Sequence, residues 1–174
     1  MIKIDRIAHV VIKVSNMEKS LDFYTRVLGL KVMGEIPPVV KFLSTGRDHH
    51  ELGIAEVGAE AVPVGPFHQI GMEHFSFRLA NEDDLREAYD TLMRENVRIA
   101  YTVNHGVAKS VYFYDPDGNQ LEVYADNSPE EVASFDNPYG GMEKLEFAQD
   151  QPSLMDSIVA AQQEMAAAAA EPKA

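Results

Sequence analysis

His9 falls in the apolar run Ile7-Ala8-His9-Val10-Val11-Ile12, and His74 falls in a matching run, Met72-Glu73-His74-Phe75-Ser76-Phe77. Glu122 falls in a third, Gln120-Leu121-Glu122-Val123-Tyr124. A strand that buries itself carries a polar side chain inward only where that side chain finds a partner, because an unpaired buried polar group costs free energy. Two neutral imidazoles and one carboxylate are the ligand set of a mononuclear metal site with open coordination positions. Each histidine taken alone reads as a hydrogen-bonded core residue. The pair reads differently, since both occupy the same slot of a repeated unit. With no cysteine in the chain, thiolate ligands and disulfides are excluded. Nitrogen and oxygen donors suit iron(II), manganese, zinc or nickel.

The repeat supplies the elements that must position these groups. In the first unit a strand is expected near Ile4 to Val14, then a helix over Met17 to Val27. Ser15-Asn16 cap the helix and Leu28-Gly29-Leu30 end it. Strands follow near Lys31 to Glu35, Val39 to Ser44 and His50 to Val57. In the second unit a strand near Glu73 to Leu79 leads to a cap at Asn81 and a helix over Glu82 to Glu95. Strands follow near Arg98 to Val103, Ser110 to Tyr114 and Gln120 to Ala125, with a tight turn at Asp115-Pro116-Asp117-Gly118-Asn119. Aligning His9 with His74 also aligns Asn16 with Asn81. Each unit thus reads strand, helix, three strands, and one such unit leaves an apolar sheet face that needs a partner. The expected fold is α+β: two paired βαβββ modules, about residues 4–57 and 72–126, forming a half-open barrel around the metal site.

Residues 1–126 make up this domain and 127–174 a C-terminal extension, with Gly58 to Gly71 as the linker between modules. The extension is expected to run as a loop over Asp126 to Gly141 and as a helix from Pro152 to about Ala169. Phe135, Pro138, Tyr139, Met142, Leu145 and Phe147 are too many apolar groups for a solvated tail. They fit a lid over the cavity, a surface for a partner subunit, or a cover for the back of the sheet.

Composition sets the outer bounds. A net charge of −13 over 174 residues argues against nucleic acid, whose phosphates need a basic surface. It also argues against an anionic membrane. No apolar run is long enough to span a bilayer, and the start, Met1-Ile2-Lys3-Ile4-Asp5-Arg6, lacks the layout of a signal peptide. The cytoplasm is the expected location.

Three stretches carry a resemblance. They are His9 on the first strand, Leu21-Asp22-Phe23-Tyr24-Thr25-Arg26-Val27-Leu28-Gly29-Leu30, and Tyr112-Phe113-Tyr114-Asp115-Pro116-Asp117-Gly118-Asn119-Gln120-Leu121-Glu122. From Ile4 to Asp126 the chain resembles the vicinal oxygen chelate superfamily, which joins glyoxalases, bleomycin resistance proteins and extradiol dioxygenases. Its site is most similar to that of the single-domain type I extradiol catechol dioxygenases. The resemblance implies iron(II), with manganese as an alternative, held by His9, His74 and Glu122. It implies catalytic roles for His50, in Arg47-Asp48-His49-His50-Glu51-Leu52, for His105, in Asn104-His105-Gly106-Val107, and for Tyr112. The gap from His105 to Tyr112 is shorter than in the large two-domain members.

Those types suit ring cleavage. A catechol chelates through two adjacent oxygens and O₂ needs a third position, which three facial ligands on an octahedral ion leave open. An imidazole with a pKa near neutrality can take and return the catechol proton, which fits His50. Tyr112 and His105 can hydrogen-bond the developing anion. The implied partners are a small aromatic substrate and O₂, with a homodimer as a further expectation. Each residue also has a plainer reading: His49 and His50 as exposed loop residues, Tyr112 as a packing aromatic, His105 as a turn residue, His68 as part of the linker.

Glu51 is the competitor. Read by the repeat it is the counterpart of Glu122, and in the glyoxalase I branch a glutamate there is a fourth protein ligand. Four protein ligands would suit nickel or zinc and a lyase or isomerase. A non-enzymatic small-molecule binding protein of the same fold is the remaining alternative.

Overall fold

The computed structural model describes residues 3, 5–62 and 71–145. The helix expected from Pro152, along with His68 and Phe147, lies outside them. The chain divides into two compact units, Met1–Pro63 and Val64–Ala174. Among the described residues no helix is long and apolar enough to cross a membrane.

In the first unit, strand β1 (Val10–Val14) leads to helix α1 (Met17–Asp22), which runs on as one π-helical turn over Phe23–Val27. Strands β2 (Lys31–Ile36), β3 (Val40–Ser44) and β4 (Leu52–Glu56) complete an open sheet in the order β1-β4-β3-β2. The β1–β4 pair is parallel and the others are antiparallel. Asn16 caps α1 by accepting from the Lys19 amide at 2.9 Å. Gly29, at φ +73°, closes the helical segment as Leu30 N–H reaches back to the Tyr24 carbonyl at 3.0 Å. That left-handed position is what makes a glycine useful in Leu28-Gly29-Leu30. Ile12, Val14, Leu43, Leu52 and Ile54 are buried, as are Met17, Phe23 and Tyr24 of the helical segment.

The second unit repeats the plan. Strand β5 (His74–Arg78) precedes helix α2 (Glu82–Arg94), then β6 (Ile99–Asn104), β7 (Ala108–Tyr114) and β8 (Gln120–Asp126). The sheet order is β5-β8-β7-β6, again with one parallel pair, β5–β8. Helix α2 buries Leu85, Tyr89 and Leu92, spaced as one helical face, and packs on β7 and β8. Its ends are well closed. Asn81 accepts from the Asp84 amide at 2.9 Å. At the other end Asn96 takes φ +54°, with Asn96 N–H bonded to Met93 O and Val97 N–H to Leu92 O, a Schellman motif. Asn81→Ala is expected to cost about 1 kcal/mol, read as a lower urea midpoint with an unchanged slope.

Several boundaries differ from the sequence reading. β1 begins at Val10 and β4 at Leu52, so His9 and His50 stand just outside the strands that were expected to hold them. Isolated edge positions can look strand-like in their apolar pattern without gaining a ladder partner. The stretch read as a loop after Asp126 contains a short helix, α3 (Pro129–Ala133). Ser128 and Glu131 form a reciprocal capping box there and Pro129 starts the helix, signals strong enough to fix a single turn. Lys109 Nζ bridges Glu82 of α2 and Glu131 of α3, which ties the extension to the second sheet.

Candidate functional site

Strand register sorts the second sheet into two faces. Phe75, Phe77, Val111, Phe113, Leu121 and Val123 share one face. The opposite face carries His74 and Ser76 from β5, Glu122 and Tyr124 from β8, and Ser110 and Tyr112 from β7. Ser76 pairs with Glu122, and Glu122 with Tyr112, as direct neighbours across three strands. This polar face is unusual for a sheet, and Glu122 on it is only 8% exposed.

His74 Nε2 stands 3.4 Å from Glu122 Oε2. The bond to Glu122 raises the His74 pKa against the opposing effect of burial. Burial pushes the Glu122 carboxyl up, but His74 and the Ser110 and Tyr112 hydroxyls outweigh it and hold the carboxyl below its usual range. A buried anion facing an imidazole nitrogen is the donor set of half a metal centre. Two ligand atoms each about 2.1 Å from one ion, at right angles, sit about 3 Å apart, close to the separation seen. The residues therefore fit a divalent metal.

Tyr112 is 5% exposed, and burial together with the Glu122 charge drives its pKa far up, so its hydroxyl keeps its proton. Its ring stands edge-on to His74 at 5.2 Å and stacks on Tyr101 at 4.3 Å. Burial, with Glu73 and Glu122 beside it, pushes Tyr101 to about 12. The Tyr112 hydroxyl meets His105 Nε2 at 3.2 Å. The short gap between His105 and Tyr112 is a tight hairpin: His105 N–H bonds to Ala108 O at 2.9 Å across Gly106-Val107, with Gly106 at φ +90°. Two-residue hairpin loops favour glycine at that first central position. The shortened loop thus still brings His105 to Tyr112.

His105, Ser76, Ser110, Glu122, Tyr124, Val107 and Tyr139 line a cavity of about 510 Å³. That size suits a small ligand. Of the extension's apolar residues, Leu145 is buried and Tyr139, 83% exposed, stands on the cavity wall. Phe135 and Pro138 approach Gly106 closely.

In the first unit, His9 is exposed and immediately precedes β1. Its ring lies 4.6 Å from that of His50, which also contacts Phe42 at 4.8 Å and His49 at 4.4 Å. Burial, then His49 and His9, lower the His50 pKa, with Glu51 opposing. His50 is thereby biased toward the neutral imidazole. Glu51 is engaged in its own loop: Thr45 donates to it through N–H at 3.0 Å and through Oγ1 at 2.7 Å. Burial raises the Glu51 pKa, but these bonds outweigh it and leave the carboxyl lowered.

Register corrects the alignment of the two units at this point. Val10 pairs with Leu52 as Phe75 pairs with Leu121, and Val11 pairs with Gly53 as Ser76 pairs with Glu122. The counterpart of Glu122 is Gly53, not Glu51, which corresponds to Gln120. The segments between first and last strand differ in length in the two units, so the repeat read along the chain puts Glu51 at that position instead. A Cβ at Gly53 would lie 3.0 Å from the Val11 side chain, which would have to give by a few tenths of an ångström to admit it.

Within each unit taken by itself, the described residues hold no group of three His, Asp or Glu gathered for a metal. The structure brings together His74, Glu122, Tyr112 and His105 in one unit, and His9 and His50 in the other, with Glu51 turned to Thr45. Sequence reasoning missed Tyr101 and Ser110. The alternation Tyr101-Thr102-Val103 facing Ser110-Val111-Tyr112 across a hairpin was the signal that could have found them.

Comparison with known proteins agrees with the fold. Residues 6–123 match the model of the Glyoxalase/Bleomycin resistance protein/Dioxygenase superfamily. Biphenyl-2,3-diol 1,2-dioxygenase 3 of Rhodococcus globerulus is 31% identical over 132 residues, 75% of this chain and 69% of that protein. Lactoylglutathione lyase of Neisseria meningitidis serogroup A is 29% identical over 143 residues, 75% of this chain and 97% of that enzyme. A solved integron cassette protein from the Halifax Harbour sewage outfall metagenome is 29% identical with a TM-score of 0.57, covering 70% of this chain and 99% of its own. Relatives of different activity at similar identity leave the chemistry to the site itself. With its doubled strand order, its polar sheet face and a match across both units, the chain belongs to the Glyoxalase/Bleomycin resistance protein/Dioxygenase superfamily.

Proposed function

We propose that the protein is a metal-dependent extradiol dioxygenase that cleaves a catechol-type aromatic with O₂. The proposed metal ligands are His74 and Glu122 of the second unit and His9 of the first. The observation that carries this reading is Gly53 at the register position of Glu122. A glutamate there would offer a fourth protein ligand; glycine offers none, and Glu51 is taken up by Thr45. Two histidines and one carboxylate favour iron(II), with manganese as the alternative. The ion, when bound, supplies the one-electron chemistry with O₂ that no side chain offers.

The chain's own groups handle protons and orientation. His50, biased to its neutral form, accepts a proton from a catechol hydroxyl. Tyr112, held protonated by burial and by Glu122, has one hydrogen to give, shared with His105 Nε2 until a substrate oxygen takes it over. His105 Nε2, 3.2 Å from the Tyr112 hydroxyl, holds that group in place by a hydrogen bond as charge develops. Val107, Tyr124 and Tyr139 on the cavity wall offer apolar and aromatic surface to a planar ring. A cytoplasmic homodimer is part of the same proposal.

The test is anaerobic purification with metal analysis, a catechol titration, and then exposure to O₂. Stoichiometric iron or manganese, catechol-dependent O₂ uptake and a ring-opened product are expected. Nickel or zinc, no O₂ uptake over a catechol panel, and isomerisation of a hemithioacetal would overturn the reading in favour of a glyoxalase-type lyase. Protein that binds small aromatics with no metal at any occupancy would make it a binding module.

A further inference from the structure

The extension after Asp126 does more than cover a sheet edge. Asn104, at the end of β6, exchanges two backbone hydrogen bonds with Glu143, N–H to O at 2.7 and 3.2 Å. Next to that bridge, Gly141 N–H donates to the His105 carbonyl at 3.1 Å, and the Gly141 carbonyl meets His105 Nδ1 at 3.0 Å. Asn127 adds a second tie, donating through Nδ2 to Asn104 Oδ1 at 2.8 Å and to the Gly106 carbonyl at 3.0 Å.

The approach is close enough to demand glycine on both sides. A Cβ at Gly141 would fall 2.5 Å from the His105 carbonyl carbon and 2.8 Å from the Gly106 nitrogen, both backbone atoms. A Cβ at Gly106, at φ +90°, would fall 2.8 Å from the Pro138 carbonyl oxygen and 3.0 Å from the Phe135 ring. A backbone carbonyl only accepts, so His105 Nδ1 must carry the hydrogen. The neutral ring then has its bare nitrogen at Nε2, the atom that faces the Tyr112 hydroxyl, and His105 is among the residues lining the cavity.

We propose that Gly141 is a positioning residue whose carbonyl fixes the ring orientation and tautomer of His105, so that Nε2 is the nitrogen presented to Tyr112 and the substrate. The catalytic part of this role rests on the dioxygenase reading; the tautomer does not. In its neutral state His105 accepts a hydrogen bond from the Tyr112 hydroxyl through Nε2. Without the Gly141 carbonyl the two tautomers compete, and part of the population points a hydrogen where an acceptor is needed.

Long-range proton–nitrogen NMR of the full chain without metal tests the tautomer directly. A protonated Nδ1 and a bare Nε2 on neutral His105 are expected; the reverse would overturn the proposal whatever the enzyme's reaction is. Gly141→Ala is expected to mix the tautomers and to lower kcat by about 10–100-fold, the size of effect found for groups that orient a functional histidine, with KM and metal content unchanged. In a His105→Ala background, Gly141→Ala should cost nothing further. An equal loss in both backgrounds, or a fall in metal content as large as the fall in kcat, would sink the proposal. If Gly141→Ala does not fold, the NMR measurement on the unaltered chain still decides it. A correct tautomer with no catechol turnover at all would fault the dioxygenase reading, not the placement of His105.

Discussion

Glu122→Gln is expected to strip the metal and abolish ring cleavage while leaving the protein folded. Glutamine keeps the volume and one acceptor oxygen, so its neighbours on the sheet are undisturbed. What disappears is the charge that His74, Ser110 and Tyr112 are arranged around. The ion would lose its one anionic protein ligand. Loss of a partner that merely orients a ligand costs about 10–100-fold in affinity, and loss of the ligand itself should exceed that. Metal content after dialysis and kcat with a catechol are the two readings. Ser76→Ala, which alters the residue paired with Glu122 but removes no charge, should retain its metal. A Glu122→Gln protein with full occupancy would remove the carboxylate from the centre and with it the proposed ligand set.

His50→Gln is expected to lower kcat by about 10²–10⁴-fold with the metal still bound, the range that a positioned acid–base group contributes. The argument is electrostatic. Burial and the neighbouring His49 and His9 disfavour the imidazolium, so His50 is available as a base near neutral pH. Glutamine preserves hydrogen bonding but cannot take a proton. The loss should fall in kcat, with KM for catechol moving little, because the group acts on the proton being transferred and not on the ring's burial. Unchanged turnover would remove His50 from the mechanism. It would also fit an isomerase in which this loop is only structural, so the two variants together separate ligand from acid–base group.

The sequence by itself made most of the elements legible and supplied the residue types on which the proposed chemistry rests. His9 and His74 in apolar runs, the caps Asn16 and Asn81, and Gly29 after the first helix were legible because each obeys a local rule: period, capping or a left-handed turn. The doubled order of strand, helix and three strands was legible for the same reason, since it needs no knowledge of which strand lies beside which. The capping box at Ser128–Glu131 was equally local, yet it lay in a stretch read as loop on the strength of Pro129, Pro138 and Gly140-Gly141.

Tertiary structure decided whatever depends on register and on close approach. Only strand pairing shows that Gly53, not Glu51, stands opposite Val11 as Glu122 stands opposite Ser76. A count along the chain cannot see this, because loops absorb residues without moving the ladder. Only the folded hairpin shows that seven residues suffice to bring His105 to Tyr112. The role of Gly141 was hidden for a deeper reason. A backbone carbonyl has no signature in a sequence, and a glycine that permits two segments to touch looks the same as one that permits a turn. The residue types that could bind a metal and move a proton are local information. Which nitrogen carries the hydrogen is set by a contact between positions thirty-six residues apart, and the fold alone makes that contact.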